Sequence, residues 1–241
     1  MTGAMQALAV VQARMSSTRL PGKVLADVEG EPMLALLLRR LEQASSVGEI
    51  VVATSDAPSD DPLEALARSI GVRVHRGPLD DVLARFVGAA AGHDGPVVRI
   101  TGDCPLTDPH VVDAVLKCFA STPGAGYGSN VEPRTFPDGL DVEVFSPDAL
   151  RRADELATDA ADREHVTTLM RRRPDLFPVA SVTAPEPMGE LRWTVDDRDD
   201  LEFIRAVVGR LGAQRHTATM ADILTAVRRA PSLAGPDGLR G

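Results

Sequence analysis

Residues 7–23 read ALAVVQARMSSTRLPGK. The first seven form an apolar run of strand length and read as a buried strand. From Gln12 to Lys23 the chain joins that strand to a helix with small hydroxyl residues, three cations and one glycine. At the carboxyl end of a parallel strand this chemistry suits a polyphosphate: backbone N–H groups and hydroxyls donate hydrogen bonds, while Arg and Lys neutralise charge. A Walker loop is excluded, because Val24 stands where that loop needs Ser or Thr for magnesium and the first glycine of its pattern is missing. A basic surface turn is the bland alternative.

Outward from this stretch, strand-length apolar runs alternate with helical patterns. The runs are 49–54, 72–75 and 96–101, and the alternation predicts a mainly parallel sheet flanked by helices. Pro32 opens a helix carrying Met33, Leu36, Leu37 and Leu41. Asp60-Asp61-Pro62 opens another that Gly71 closes, and Thr107 is placed to cap a third with Pro109 in its first turn. Residues 140–145 alternate strictly, which sends Leu140, Val142 and Val144 to a buried face and Asp141 with Glu143 to an open one. Ser146-Pro147 starts a helix, a more polar helix spans about 160–172, and Leu201, Ile204, Val207, Val208 and Leu211 form the stripe of another.

Two further strand ends carry acids. In RITGDCPL a buried strand runs into Gly102-Asp103, and a carboxylate there points into the crevice of the phosphate loop. Mg2+ takes one or two carboxylates plus substrate phosphates, so Asp103 is a candidate ligand, with a helix-preceding cap as the alternative. In LRWTVDD the strand ends at Asp196, the second candidate. Its alternative is an acid interacting with a helix dipole, and Asp197 or Asp199 is placed to cap that helix.

Composition bounds the function. The chain has 241 residues, 44% hydrophobic and 25% charged, which is that of an ordinary globule large enough for a substantial core. Only 3% aromatics and a net charge of −9 argue against a nucleic-acid binder, so an anionic ligand needs a local basic pocket. Cys104 and Cys118 offer no metal-ligand spacing, and His75, His93, His110 and His216 lack the pattern of a zinc site. No apolar run reaches the length of a membrane helix, and a cytoplasmic protein with reduced thiols is expected. Residues 1–230 read as one domain, the Gly- and Pro-rich stretch 121–139 as a flap or dimer arm, and 231–241 as a disordered tail.

Taken together, QARMSSTRLPGK, VVATSD, HRGPLDDVLARF, RITGDCPLTDP, FPDGLDVEVFS, DREHVT and LRWTVDDRDDLE resemble the spore-coat polysaccharide cytidylyltransferase family, over roughly residues 7–212. That family is more distantly similar to the CMP-sialate and CMP-Kdo synthetases. The resemblance implies a Rossmann-like α/β domain of the nucleotide-diphospho-sugar transferase type. It also implies a Mg2+-dependent transfer of CMP from CTP to an anionic sugar acceptor, with pyrophosphate released. Arg14, Ser17 and Lys23 then correspond to the grip on the triphosphate, and Asp103 and Asp196 to the acids that hold Mg2+. Arg76 corresponds to an arginine that helps read cytosine, a task also open to backbone groups at Gln12 and Ala13. Arg134, Asp138, Asp141, Glu143, Glu164 and His165 fall on the acceptor side, and a homodimer is expected. Two alternatives remain: a nucleotidyltransferase using another nucleoside triphosphate, and a non-catalytic nucleotide-binding relative. A glycosyltransferase is disfavoured, because it needs no grip on a triphosphate.

Overall fold

The computed structural model describes residues 6–228. The tail predicted at 231–241 lies outside them. Strand β1 (Ala7–Gln12) forms as expected, and side-chain alternation divides it between two cores. Ala7, Ala9 and Val11 enter one apolar cluster, while Leu8 and Val10 enter the other on the opposite face of the sheet.

The chain then makes a two-stranded ribbon, β2 (Asp27–Val28) with β3 (Glu31–Pro32), and enters α1 (Met33–Leu41). Leu34, Leu36, Leu37, Leu38 and Leu41 of α1 are all fully buried. Each such side chain stabilises the fold by about 1.5–3 kcal/mol relative to exposure, before ordering costs. Next come β4 (Val47–Ser55), α2 (Asp61–Ser69), β5 (Arg73–Gly77), α3 (Val82–Ala89), β6 (Val97–Thr101) and α4 (Pro109–Ser121). β1 pairs in parallel with β4 on one side and β6 on the other, and β4 pairs in parallel with β5. The chain thus winds away from β1 in one direction and resumes on its other side. That switch leaves a crevice at the carboxyl ends of β1 and β6, where the loop 12–23 and Asp103 lie.

The remaining elements are β7 (Tyr127–Ser129), β8 (Glu143–Phe145), α5 (Pro147–Leu156), α6 (Ala160–His165), α7 (Thr168–Arg172), β9 (Val179–Ser181), α8 (Arg198–Leu211) and α9 (Met220–Arg228). The sheet order is β5-β4-β1-β6-β8-β7-β9. Only β8 is antiparallel to its neighbours, so the sheet is mainly parallel, as expected. Helices α1, α2, α4, α8 and α9 contribute to one core; α3, α5 and α7 contribute to the other.

Four expectations need correction. Residues 121–139 are not wholly an excursion, because 127–129 form β7 inside the sheet and Tyr127, Val131 and Phe136 are buried. The polar face of 140–145 is open only at Asp141: Glu143 is 3% exposed and Phe145 packs into the second core against Phe86, so β8 is covered on both sides. Asp108 caps α4, its carboxylate accepting from the His110 N–H at 2.8 Å, whereas the Thr107 hydroxyl donates to the Cys104 carbonyl. The polar helix at 160–172 is broken into α6 and α7 by Val166, whose φ of 56° is in the left-handed region. Burial of the Val166 side chain offsets the strain of that conformation, and the break places Glu164 and His165 at the edge of the crevice.

Candidate active site

The loop after β1 is fixed from both sides. The Gly102 N–H donates to the Gln12 carbonyl at 2.8 Å, and a Cβ on Gly102 would stand 2.9 Å from that of Ala13, so only glycine lets the two strand ends approach so closely. Farther along, the Met15 and Gly22 backbones bond at 2.9 Å, with Gly22 at φ +75° closing the turn before Lys23. Beneath the loop lies Asp60, fully buried. One of its oxygens accepts from the Met15 N–H at 2.8 Å, and the other from Thr54 Oγ1, Ser55 Oγ and the Ser55 N–H. Desolvation works against the charged form. These hydrogen bonds outweigh it and hold the carboxyl below its ordinary range.

Across the crevice, Lys23 organises the acids. Its ammonium donates to the Val195 carbonyl at 2.6 Å, to Asp196 Oδ1 at 3.1 Å and to Asp103 Oδ2 at 3.2 Å. All three N–H donors of this nearly buried side chain are therefore used. The Val195 N–H donates to the Asp103 carbonyl at 2.9 Å, which ties the two acid-bearing segments by backbone as well. Asp196 Oδ2 also meets Arg19 at 3.0 Å and Arg192 at 3.1 Å. Burial opposes ionisation of Asp196, but the Lys23 and Arg192 contacts prevail and its carboxyl lies below the usual value. Asp197 caps α8 in a reciprocal capping box with Asp200, whose carboxylate is gripped by Arg192 through two contacts of 2.7 Å. Gly139, at φ +109°, lets the neighbouring segment pass: a Cβ there would lie 2.7 Å from the Trp193 carbonyl carbon.

These elements enclose a cavity of about 440 Å³. Gln12, Ala13, Arg14, Ser17, Lys23, Asp103, Glu164, His165 and Asp196 all line it, so nine positions singled out in the sequence converge. Others do not reach it. Arg76 points away, donating to Asp61 and Glu64 and to the Ser55 and Ala57 carbonyls. Glu143 lies behind Gln12, buried, bonded to Arg99 and at 2.5 Å to the Tyr127 hydroxyl; Arg99 in turn donates to Gln12 Oε1 at 2.9 Å. Arg134, Asp138 and Asp141 form a separate cluster. Arg134 holds both oxygens of Asp141, at 2.8 and 2.9 Å, with Asp138 at 3.5 Å. Burial and the neighbouring Asp141 push the Asp138 carboxyl above its ordinary value.

Asp60 and Arg85 belong to the site without being singled out by the sequence. In the sequence Asp60 reads only as a helix opener, since its reach to Met15 depends on the fold. Arg85 had a signal: it lies on the stripe Val82, Phe86, Ala89 of α3, where an apolar residue is expected. Cys104, fully buried beside Asp103, has its thiol pushed up by desolvation and by that neighbouring charge, and so stays neutral.

A parallel sheet with a basic, hydroxyl-rich loop at its switch point and two acids facing that loop defines an α/β protein of the nucleotidyltransferase fold. The chain belongs to the cytidylyltransferase family, whose model, described as Cytidylyltransferase, matches residues 8–221. It is 34% identical over 235 residues to the spore coat polysaccharide biosynthesis protein SpsF of Bacillus subtilis, covering 94% of this chain and 96% of that one. It is 32% identical over 218 residues to the 3-deoxy-manno-octulosonate cytidylyltransferase of Paramagnetospirillum magneticum, covering 82% and 83%. A cytidylyltransferase structure from Leptospira borgpetersenii superposes with a TM-score of 0.91 at 28% identity, over 97% of this chain and 98% of that one.

Proposed function

We propose that the protein transfers CMP from CTP to an anionic sugar acid or sugar phosphate and releases pyrophosphate, in the synthesis of an activated sugar for glycan or specialised-metabolite assembly. The observation that carries this reading is the meeting of Asp103 and Asp196 at Lys23, opposite the loop that bears Arg14 and Ser17. An acceptor oxygen attacks the α-phosphorus, the bond to the bridging oxygen of the β-phosphate breaks, and pyrophosphate leaves with the electron pair. Backbone N–H groups of the loop, Ser17 and Arg14 are placed to hold the phosphates and to offset charge that builds on the leaving group.

Asp103 and Asp196 are the residues that would hold Mg2+. Two hard carboxylates converge on one cation, Lys23, and among the described residues no cluster of three or more His, Cys, Asp or Glu forms a complete cage. That donor set suits Mg2+, which completes its shell with water and substrate phosphates. When bound, the ion supplies charge neutralisation at phosphate oxygens.

A phosphate acceptor is already ionised and needs no base. A hydroxyl acceptor needs one. No helix among the described residues is long and apolar enough to cross a membrane. A cytoplasmic location, with its supply of nucleoside triphosphates, is part of the proposal.

The test is pyrophosphate release from CTP, UTP, GTP and ATP with Mg2+, across a panel of acceptors that includes 3-deoxy-manno-octulosonate. CTP-selective release supports the reading. Release from another nucleotide would keep the chemistry and change the product. Nucleotide binding with no release across the panel would favour the non-catalytic alternative.

A further inference from the structure

Among the described residues two arginines are deeply buried, and their surroundings differ in kind. Arg40 is fully buried and donates to four carbonyls, those of Leu106, Thr107, Arg215 and Ala218. Arg85, in α3, is 3% exposed, yet neither its Nε nor its Nη1 has a hydrogen-bond partner. Its stem packs against Gly77 at the end of β5, where an added Cβ would lie 3.0 Å from Arg85 Cγ, and its side chain lines the nucleotide-sized cavity.

The acids whose charges act on Arg85 are Asp60, Asp81 and Asp56; none is hydrogen-bonded to it, and the first two are committed elsewhere. Asp60 is occupied by Met15, Thr54 and Ser55, and Asp81 by Arg163 and the Ala84 N–H. The cation facing Arg85 is Arg14, which lines the same cavity and makes no side-chain hydrogen bond or ion pair among the described residues. Burial, and after it the charge of Arg14, lowers the Arg85 pKa. A buried guanidinium without an acceptor is costly, and a second guanidinium facing it adds repulsion. A neutral carbonyl would satisfy the donors and leave the repulsion. An oxyanion would relieve both.

We propose that Arg85 and Arg14 jointly bind an oxyanion, a phosphate group of the nucleotide, making Arg85 a binding residue supplied by α3 rather than by the phosphate loop. The identity of that phosphate rests on the cytidylyltransfer reading. The arrangement is a trade between stability and binding: the site is strained when empty of anion and satisfied when filled.

Calorimetric titration of the full chain with inorganic pyrophosphate and with CTP, at fixed Mg2+, tests it on wild type, Arg85→Met and Arg85→Lys. Arg85→Met should weaken both ligands at least tenfold, with Arg85→Lys between it and wild type. The melting temperature of ligand-free Arg85→Met should equal or exceed that of wild type, which an arginine with a merely structural role would not allow. Unchanged affinity for pyrophosphate in Arg85→Met overturns the assignment, whatever its stability. Arg85-dependent binding of pyrophosphate by a wild-type protein that ignores CTP would sink the cytidylyltransfer reading and leave the anion site standing. CTP binding indifferent to Arg85 would do the reverse.

Discussion

The Lys23 ammonium bonds the Asp196 carboxylate at 3.1 Å, joining positions 173 residues apart in the chain. The phosphate loop and the segment that precedes α8 therefore share one anchor, and the same contact helps hold the acid below its ordinary range. Asp196→Asn and Asp103→Asn should each lower pyrophosphate release by on the order of 10²-fold or more, since charge and metal-binding capacity go while shape is kept. Steady-state assays across a Mg2+ titration check this. Near-normal turnover at saturating Mg2+ would remove the residue from the metal role.

Arg40 predicts an effect on stability. Its guanidinium joins the segment after Asp103 to the segment 215–218 through four carbonyl oxygens, and burial lowers its pKa to about 10, which leaves it charged at pH 7. Arg40→Met would leave those carbonyls without their donors and should cost about 3–5 kcal/mol in urea unfolding. A loss under about 1 kcal/mol would show that the carbonyls find other partners.

How much of this was legible in the sequence depends on how local each cause is. The first four strands of the parallel sheet, the caps Ser146 and Asp197, and the convergence of Arg14, Lys23, Asp103 and Asp196 follow from apolar runs and from residue types at strand ends. Arg76 reads as a nucleotide residue only through the family resemblance, but Asp61 and Glu64 of α2 capture it, a pairing set by how α2 packs. Glu143 read as exposed because period-2 alternation identifies a polar position without saying what covers it. Here Tyr127 and Arg99 do, from β7 and β6.

Asp60 carries a pH prediction. Its carboxyl is depressed in the folded state from an ordinary value of 3.8, so the stability it contributes is present above that value and is lost as pH falls through the lower folded-state value. Asp60→Ala strands the Met15 and Ser55 N–H groups and should cost about 1–3 kcal/mol at pH 7. In urea unfolding the gap between wild type and variant should narrow as pH drops below 4 toward 2, roughly the range the linkage argument defines. A constant gap across that range would mean that packing, not the charged carboxylate, accounts for the effect. CTP binding should weaken in the variant as well, because Asp60 holds Met15 within the phosphate loop.

Glu143 and Arg134 both fell on the acceptor side by resemblance, and the structure separates their roles. Glu143 is buried between Arg99 and the Tyr127 hydroxyl, whose proton is held more tightly because of burial and the adjacent carboxylate. Glu143→Ala strands an arginine and a hydroxyl and should destabilise by about 3–5 kcal/mol. It should also loosen Gln12, the residue Arg99 positions at the cavity. Arg134 is more than a third exposed, with Asp141 and Asp138 as partners, so Arg134→Ala should change stability by no more than about 0.5–1 kcal/mol. Its expected effect is a higher KM for the anionic acceptor, with KM for CTP unchanged. Melting curves and initial rates on the two variants decide this: a stable Glu143→Ala protein with a raised acceptor KM would return Glu143 to the acceptor site, and an unaltered acceptor KM in Arg134→Ala would remove Arg134 from it.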